Sequence, residues 1–262
     1  MQYEQLGISC FGRPISMLAD GCGARHVLFC AAHHGSEWIT ACVLRRFLAE
    51  FAARRDWRQM VRLYAVPCVN PDGAALSMGL AAPQSRQYRL ARRIAAGTPG
   101  FPQTWKANGR GVDLNLNYPA GWARACAIKR IFSPAPQNYP GPHPLSEPEC
   151  RAMAELAVFA APDVLVTLHA QGGEIYWQYG GIFVPGAQAM GEEMARRSGY
   201  CLAEVPPESA YAGYKDWFIQ EYRRPAYTVE CGKGENPLPL SQLDAIYASV
   251  RPILETALCG IP

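Results

Sequence analysis

A histidine and a glutamate, His34 and Glu37, are separated by only two residues. The apolar run before them, residues 27–32, is typical of a buried strand, and apolar residues recur at helical spacing after them. A position between a strand and a helix lies at the carboxyl edge of an open α/β sheet, where such sheets bind ligands. An imidazole and a carboxylate presented from this turn suit two ligands of a catalytic zinc ion, although an isolated pair with this spacing is also common in ordinary turns.

Two further apolar runs end on residues of the same two types. Residues 163–168 precede His169, and residues 227–229 precede Glu230. Both runs are typical of buried strands, and neighbouring strands of one sheet lie about 4.8 Å apart. We therefore expect the side chains at three strand ends to converge on one point.

Two histidines and one glutamate are a ligand set that leaves a fourth zinc position open for water, as a hydrolytic site requires. Glu230 is then free to accept a proton from that water and to return it to a leaving amine. Asp113 suits a supporting role, in which its carboxylate orients His34 through the second ring nitrogen. His33 competes with His34 as the ligand, because residue type alone does not separate two adjacent histidines.

The elements around these residues alternate between apolar strands and amphipathic helices. We predict a strand–turn–strand entry over 3–18 and core strands at 26–32, 62–66, 163–168 and 227–229. Two predicted helices end near residues 53 and 160, and three more lie near 187–199, 213–222 and 241–258. This alternation without an internal repeat predicts an α/β fold with a largely parallel sheet.

Five further patterns carry local predictions. Ser36 is a candidate cap for the helix that follows it, and residues 70–73, Asn-Pro-Asp-Gly, are a strong turn signal. The region 97–146 is rich in Pro, Gly and Asn, and we interpret it as an ordered wall of the active site. Within it the alternation over 111–115 predicts a short strand, and residues 146–149 form a capping box that begins a helix.

Composition and charge exclude several functional classes. The chain has 262 residues, of which 49% are hydrophobic and 18% charged, so it is globular and long enough for a full core. The formal net charge is +3 and the basic residues are scattered, which does not favour nucleic acid binding. We find no secretory signal or membrane-spanning run. The ten cysteines form no CxxC pair, so we expect reduced thiols, a cytoplasmic location and no membrane partner.

Five motifs, taken in chain order, resemble those of zinc carboxypeptidases of the carboxypeptidase A type. They extend over about residues 5–250 and comprise His34-Gly35-Ser36-Glu37-Trp38-Ile39-Thr40, Asn70-Pro71-Asp72-Gly73, Gly111-Val112-Asp113-Leu114-Asn115, the strand-final His169 and Thr228-Val229-Glu230. The resemblance implies a single three-layer α/β/α domain over residues 1–262, with a mostly parallel mixed central sheet.

The resemblance also implies roles for six residues, namely zinc ligation by His34, Glu37 and His169, general-base catalysis by Glu230, orientation of His34 by Asp113, and substrate contact by Asn115. The family spacing selects His34 over His33, which is then expected to pack or hydrogen-bond nearby. His26 and His143 are expected to be structural.

One position departs from the family pattern. Family exopeptidases follow the asparagine with an arginine that binds the terminal carboxylate of the substrate, and this chain has Leu116 there. A leucine cannot form the bidentate, charge-assisted contact that such a carboxylate requires. We therefore do not expect ordinary trimming of protein C termini.

Further segments resemble a narrower branch, the γ-D-glutamyl-diaminopimelate peptidases that cut bacterial cell-wall stem peptides. These segments are residues 105–108, 115–122, 169–177 and 213–218. Substrates of that branch carry additional carboxylates, which Lys106, Lys215 and Arg124 could meet. Lys106 also falls about where the family has an oxyanion-stabilising arginine, and Lys215 falls near the floor of the specificity pocket. Tyr211 and Tyr214 are equal candidates for the mobile tyrosine that closes over the substrate.

The expected function is that of a zinc metallopeptidase that hydrolyses the γ-D-glutamyl–diaminopimelate amide bond, with a peptidoglycan stem peptide (muropeptide) as substrate. The nearest alternative is a zinc carboxypeptidase, amidase or deacylase of other small peptides or acylated amino acids. The alternative outside enzymes is a catalytically inactive module that binds muropeptides. The presence of all three ligands and of Glu230 argues against that module.

Overall fold

A computed structural model describes residues 2–260 of the chain, and in these residues eight strands form one sheet. The strands are β1 (Glu4–Ile8), β2 (Pro14–Asp20), β3 (Arg25–Ala31), β4 (Val61–Val66), β5 (Val164–His169), β6 (Glu174–Tyr176), β7 (Cys201–Ala203) and β8 (Ala226–Glu230). Their order is β1-β2-β4-β3-β5-β8-β6-β7. The four central strands, from β4 to β8, are parallel, and antiparallel pairs lie on either side of them. The predicted mixed, mostly parallel sheet is confirmed.

Helices cover both faces of this sheet. Those in residues 2–260 are α1 (Ile39–Ala53), α2 (Arg55–Met60), α3 (Pro71–Ser77), α4 (Arg86–Ile94), α5 (Trp122–Lys129), α6 (Pro148–Ala160), α7 (Ala187–Ser198), α8 (Tyr214–Tyr222) and α9 (Leu243–Cys259). Helices α1, α2, α7 and α9 contribute to the apolar core on one face, whereas α6 and α8 contribute to that on the other. The three-layer α/β/α architecture is therefore present. Within the described residues, none of these helices has both the length and the apolar character needed to cross a bilayer.

The central strands are buried on both faces, as their continuous apolar sequences predict. In β3, Val27 and Phe29 belong to the core under α1, whereas Leu28 and Cys30 belong to the core under α6. Successive side chains of a strand point to opposite faces, so a slip of one residue would exchange the two sets. Complete burial of each large apolar side chain contributes about 1.5–3 kcal/mol. The packing therefore fixes the register of the strands and the level at which they end.

Residues 70–73 form the start of a helix and not the free turn that we predict from the sequence. The side chain of Asn70 accepts a hydrogen bond from the Gly73 N–H at 2.8 Å, and Pro71 occupies the first turn of α3. An asparagine cap followed by proline is a favourable helix start because proline lacks only an N–H that would have no partner there. The same residue types thus serve a turn and a helix N-terminus.

Three other local predictions are wrong. Residues 111–115 contain no strand, and Leu114–Leu116 form one turn of 3-10 helix. The hydroxyl of Ser36 does not cap α1, since it is buried without a hydrogen-bond partner in residues 2–260. Helix α6 begins at Pro148 as predicted, but the preceding Glu147 makes no capping hydrogen bond through its side chain.

Candidate active site

The turn between β3 and α1 is pressed against the first turn of α3 and against the loop that contains Lys106. The Gly35 N–H donates to the carbonyl oxygen of Lys106 at 2.8 Å. A Cβ atom at Gly35 would lie 2.5 Å from the carbonyl oxygen of Gly73. Only glycine fits between these backbones. The close approach fixes the position of His34 and Glu37 on either side of it.

Three side chains bring possible ligand atoms together at the carboxyl edge of the sheet. His34 Nδ1 lies 2.7 Å from Glu37 Oε1, and His169 Nδ1 lies 3.0 Å from Glu37 Oε2. One ligand atom from each side chain lies within 4.8 Å of the other two. His169 is the last residue of β5, which neighbours β3 in the sheet. The structure thus joins the three residues predicted as a ligand set.

Asp113 fixes the orientation of His34. Its Oδ1 lies 3.0 Å from His34 Nε2, and its Oδ2 accepts a hydrogen bond from the backbone N–H of Asn138 at 3.0 Å. Because an ionised carboxylate only accepts, His34 Nε2 carries a hydrogen and donates it. Nδ1 is thereby directed toward Glu37, which is the arrangement expected of a histidine that ligates a metal through Nδ1.

The charges around His34 favour a bound cation. Burial disfavours the charged imidazole, but Glu37 and then Asp113 outweigh it and raise the pKa of His34 to about 10. Burial also works to raise the pKa of Asp113, and the opposing charge of His34 instead lowers it to about 2. Two ionised carboxylates on either side of one imidazole therefore attract positive charge to Nδ1, either as a proton or as a metal ion.

These donors fit zinc. Ligand atoms around a tetrahedral zinc ion lie roughly 3.3 Å from one another, and two imidazole nitrogens with one carboxylate are a catalytic ligand set that leaves one position open. Burial lowers the pKa of His169, which keeps that imidazole in the neutral form that metal ligation needs. The donor types and their spacing therefore agree with a zinc site formed by His34, Glu37 and His169, in which zinc would take the place of the proton on His34 Nδ1.

Glu230 is held beside these donors by strand pairing. It is the last residue of β8 and stands opposite His169 across the parallel β5–β8 pair. Burial, followed by the negative charge of Glu37, raises the pKa of Glu230 to about 8. Its side chain lines the same cavity as the donors. A carboxylate with raised proton affinity in this position is suited to accept a proton from water.

Lys106 reaches the donors from the loop before Asp113. Its Nζ lies 3.6 Å from Glu37 Oε1, and its backbone N–H donates to the carbonyl oxygen of Pro136 at 3.0 Å. Burial disfavours the ammonium form, but Glu37 and neighbouring carboxylates raise the pKa of Lys106 above its ordinary value. The side chain is therefore a cation, and it can stabilise negative charge that develops on a carbonyl oxygen nearby.

The donors open into a cavity of about 320 Å³. Asn115 and Lys215, which the sequence predicts as substrate contacts, line it, and so does Leu116. Lys215 is buried, and its Nζ donates to the Gln178 carbonyl oxygen and to Asp216 Oδ1, each at 2.5 Å. The cavity thus has a hydrophobic residue and an internally paired lysine in its wall.

Three predicted substrate contacts are not among the described residues that line the cavity. Tyr214 is fully buried and its hydroxyl donates to the Met153 carbonyl oxygen at 2.8 Å, so its interpretation as the mobile tyrosine is wrong. The Arg124 guanidinium lies over the ring of Tyr211, 4.8 Å from the ring centroid. Tyr211 stays a prediction as the tyrosine that closes over the substrate.

His33 packs behind the donors and does not join them. Its Nε2 lies 3.2 Å from the Tyr118 hydroxyl, and its ring stacks on that of His169 with centroids 5.6 Å apart. His26 is bound through Nδ1 to the Ala160 carbonyl oxygen at 2.7 Å, on the amino side of β3. These placements agree with the predicted structural roles.

The cavity wall also contains polar residues that the sequence alone does not single out, among them Lys129, Asn138 and Tyr176. Lys129 ends α5, and Tyr176 ends β6. Both elements are short and interrupt a region without clear periodicity, so the sequence offers no pattern that would place these side chains at the cavity.

Comparison with known proteins identifies relatives along almost the whole chain. The family model for zinc carboxypeptidases matches residues 1–251. A γ-D-glutamyl-L-diamino acid endopeptidase 1 from Lysinibacillus sphaericus is 36% identical over 94% of this chain and 64% of its own length. The uncharacterized protein YqgT of Bacillus subtilis is 36% identical over 97% of this chain and 71% of its own length. This chain therefore spans about two thirds of the length of these relatives.

A solved structure shows the same fold. Carboxypeptidase A from Helicoverpa armigera superimposes with a TM-score of 0.75 at 17% identity, over 99% of this chain and 69% of that one. At that identity the likeness concerns the course of the backbone, and it agrees with the three-layer architecture described above.

Proposed function

The chain belongs to the zinc carboxypeptidase family, and on that basis we propose that it hydrolyses the γ-D-glutamyl–diaminopimelate amide bond of peptidoglycan stem peptides. The observation that carries the proposal is the cluster of His34, Glu37 and His169 with Glu230 beside it in one cavity. The choice of bond is supported by the identity to the Lysinibacillus endopeptidase. We also propose that residues 1–262 act as a single catalytic domain.

The proposed mechanism divides the reaction among the four groups around the donors. Zinc held there would provide a water molecule with a pKa of about 7 and polarise the scissile carbonyl. Glu230 accepts the proton of the attacking water and passes it to the leaving amine nitrogen. Lys106 stabilises negative charge on the carbonyl oxygen. Asp113 keeps the His34 ring in the orientation that presents Nδ1 to the metal.

The substrate class is supported by what lies in the cavity wall. Leu116 provides no charge for a terminal carboxylate, which disfavours ordinary C-terminal trimming. Lys106 supplies positive charge beside the donors, and Asn115 supplies an amide. Lys215 also lines the cavity, but its charge is already paired with Asp216. A γ-D-glutamyl–diaminopimelate unit carries carboxylates on both sides of the bond to be cut, so positive charge in the cavity favours it over a neutral peptide.

Product identification tests the proposal. Zinc-loaded protein is incubated with L-Ala-γ-D-Glu-meso-diaminopimelate, and the products are identified by mass spectrometry. We expect L-Ala-D-Glu and free diaminopimelate. The assignment of the bond fails if the loaded protein leaves this peptide intact while it cuts an ordinary α-peptide at its C terminus.

A variant pair tests the role of Glu230. Glu230→Gln should bind zinc as the wild type does and lose activity by about 10²–10⁴-fold, because the amide cannot accept the proton. Glu235→Gln makes the same chemical change at an exposed position five residues away, and it should keep full activity. Full turnover by Glu230→Gln would remove this residue from the mechanism.

We further propose that the enzyme works in the cytoplasm on released stem peptides. The support is its cysteine usage, because all ten cysteines are free thiols, and Cys22, Cys201 and Cys259 are exposed. Exposed unpaired thiols are typical of reducing compartments. Cell fractionation with an antibody against the protein tests this location, and recovery in an extracytoplasmic fraction would contradict it.

A further inference from the structure

Lysine is rare in this chain but concentrated at the cavity. Only four of the 25 basic residues are lysines, namely Lys106, Lys129, Lys215 and Lys233. The first three line the cavity, and among the residues that the structure describes no arginine does so. Lysine carries a compact charge on a flexible stem, whereas arginine presents a rigid planar fork. The positive charges in the wall of this cavity are therefore carried by ammonium groups on flexible side chains.

The three ammonium groups differ in whether the protein neutralises their charge. Lys215 Nζ lies 2.5 Å from Asp216 Oδ1, and Lys106 Nζ lies 3.6 Å from Glu37 Oε1. Across residues 2–260, by contrast, the Lys129 amine takes part in no ion pair. Of the three, Lys129 therefore has the charge that is left for a bound ligand.

The phase of α5 directs Lys129 and Arg124 to different places. They are five residues apart on one helix, so their side chains point in directions that differ by about 140° around the helix axis. Arg124 stacks on Tyr211, whereas Lys129 lines the cavity. Lys129 is also the last residue of α5, where the helix dipole favours a cation.

Two neighbours complete a small recess around Lys129. Leu116 packs against Ala125, which precedes Lys129 by one turn on the same face of α5. Asn115 Oδ1 accepts a hydrogen bond from the Tyr214 N–H at 3.1 Å, so its amide nitrogen is left as a donor for the cavity that Asn115 lines. An ammonium and an amide donor beside an apolar side chain suit a carboxylate on an aliphatic chain.

We propose that Lys129, assisted by the Asn115 amide, binds a carboxylate of the substrate and selects acidic substrates over amidated ones. The inference rests on the proposed peptidase function and names the residue that sets its specificity. Two carboxylates of the substrate have the required chemistry, the α-carboxylate of the glutamyl residue and a carboxylate of diaminopimelate. The role is one of binding, so its loss should raise KM and leave kcat unchanged.

Steady-state kinetics on three peptides tests this inference. The first is L-Ala-γ-D-Glu-meso-diaminopimelate, the second has the glutamyl α-carboxylate as a carboxamide, and the third has the diaminopimelate carboxylates as carboxamides. Lys129→Met should raise KM for the unmodified peptide by about 10-fold at constant kcat. For the peptide that lacks the carboxylate bound by Lys129, the KM of Lys129→Met should be within twofold of the wild-type KM. The peptide that behaves in this way identifies the carboxylate that Lys129 binds. Lys129→Arg should recover part of the affinity.

The exposed Lys233 provides the matched control, and Lys233→Met should behave as the wild type. The inference is overturned if Lys129→Met leaves KM unchanged, or if it changes all three peptides by the same factor. If the wild type fails to cut the γ-D-glutamyl bond, the proposed function fails, and titration calorimetry with the intact peptides decides about Lys129. A Kd for the unmodified peptide that is about 10-fold weaker in Lys129→Met then supports it, and an unchanged Kd refutes it.

Discussion

Replacing Asp113 with asparagine should weaken zinc binding without unfolding the protein. Asp113 is buried, and its two carboxylate oxygens are both in use, one toward His34 Nε2 and one toward the Asn138 N–H, each at 3.0 Å. An amide has one oxygen acceptor where the carboxylate has two. Asp113→Asn keeps the shape of the side chain, but it can satisfy only one of the two donors.

Either orientation of the new amide impairs the site. With its oxygen toward the Asn138 N–H, its NH₂ group faces His34 Nε2 and forces the ring hydrogen onto Nδ1, which then cannot bind a metal. With its oxygen toward His34, a buried backbone N–H loses its acceptor at a cost of about 1–3 kcal/mol. Loss of such a supporting carboxylate typically weakens metal binding by about 10–100-fold. That range corresponds to about 1.4–2.7 kcal/mol of binding free energy.

Competition with a chelator of known affinity measures the zinc Kd of wild type and Asp113→Asn, and circular dichroism checks their folding. Asp163→Asn is the matched control, because Asp163 Oδ2 accepts from the His26 N–H at 2.9 Å where β3 begins, at the opposite edge of the sheet from the donors. This control should keep the wild-type zinc Kd. A zinc Kd within twofold of wild type in a folded Asp113→Asn would refute the role that we assign to this carboxylate.

Three further changes have distinct expected results. Lys106→Met should lower kcat by about 10²-fold at unchanged zinc content by elemental analysis, because the cation beside the scissile carbonyl is lost. Gly73→Ala should lower the free energy of unfolding in urea by about 1–3 kcal/mol, because its Cβ would lie 2.5 Å from the Ala107 carbonyl oxygen. Arg251 binds Glu50 and lowers the pKa of Glu50 from 4.5 to about 2, so this pair stabilises the fold above pH 4.5 and loses that effect as the pH falls toward 2. Glu50→Gln should therefore lower stability by about 1 kcal/mol at pH 7, with a difference in Tm from wild type that shrinks below pH 4.5.

The strands that carry the donors are predictable because each has its own apolar sequence. β5 and β8 are largely apolar runs that end on His169 and Glu230, and the apolar part of β3 ends at Ala31, shortly before His34. Parallel strands of one sheet end at a common edge. The positions of His169 and Glu230 therefore follow from local patterns alone. No long-range information is needed to place them at the same edge.

Several short or polar elements are not predictable in this way. β6 and β7 have three residues each, too few for a period to emerge. α4 is rich in arginine, and only Gln87 and Ala91 are buried on it. The sequence does not single out Lys129, because the phase of α5 depends on where the helix begins, and Gly121 with its positive φ gives no capping signal. Tertiary contacts decide these details.

The pairing of His169 with Glu230 across β5 and β8 separates reactivity from recognition. Hydrogen bonds between strands set the spacing of these two residues, whereas α5 and the segment before it present Asn115, Leu116 and Lys129. A replacement of the region that carries these three residues would leave the spacing of the reactive pair unchanged. The sheet can therefore act as a fixed scaffold on which segments that recognise the substrate are exchanged. Grafting such a segment is a route to new substrate preferences on the same hydrolytic centre.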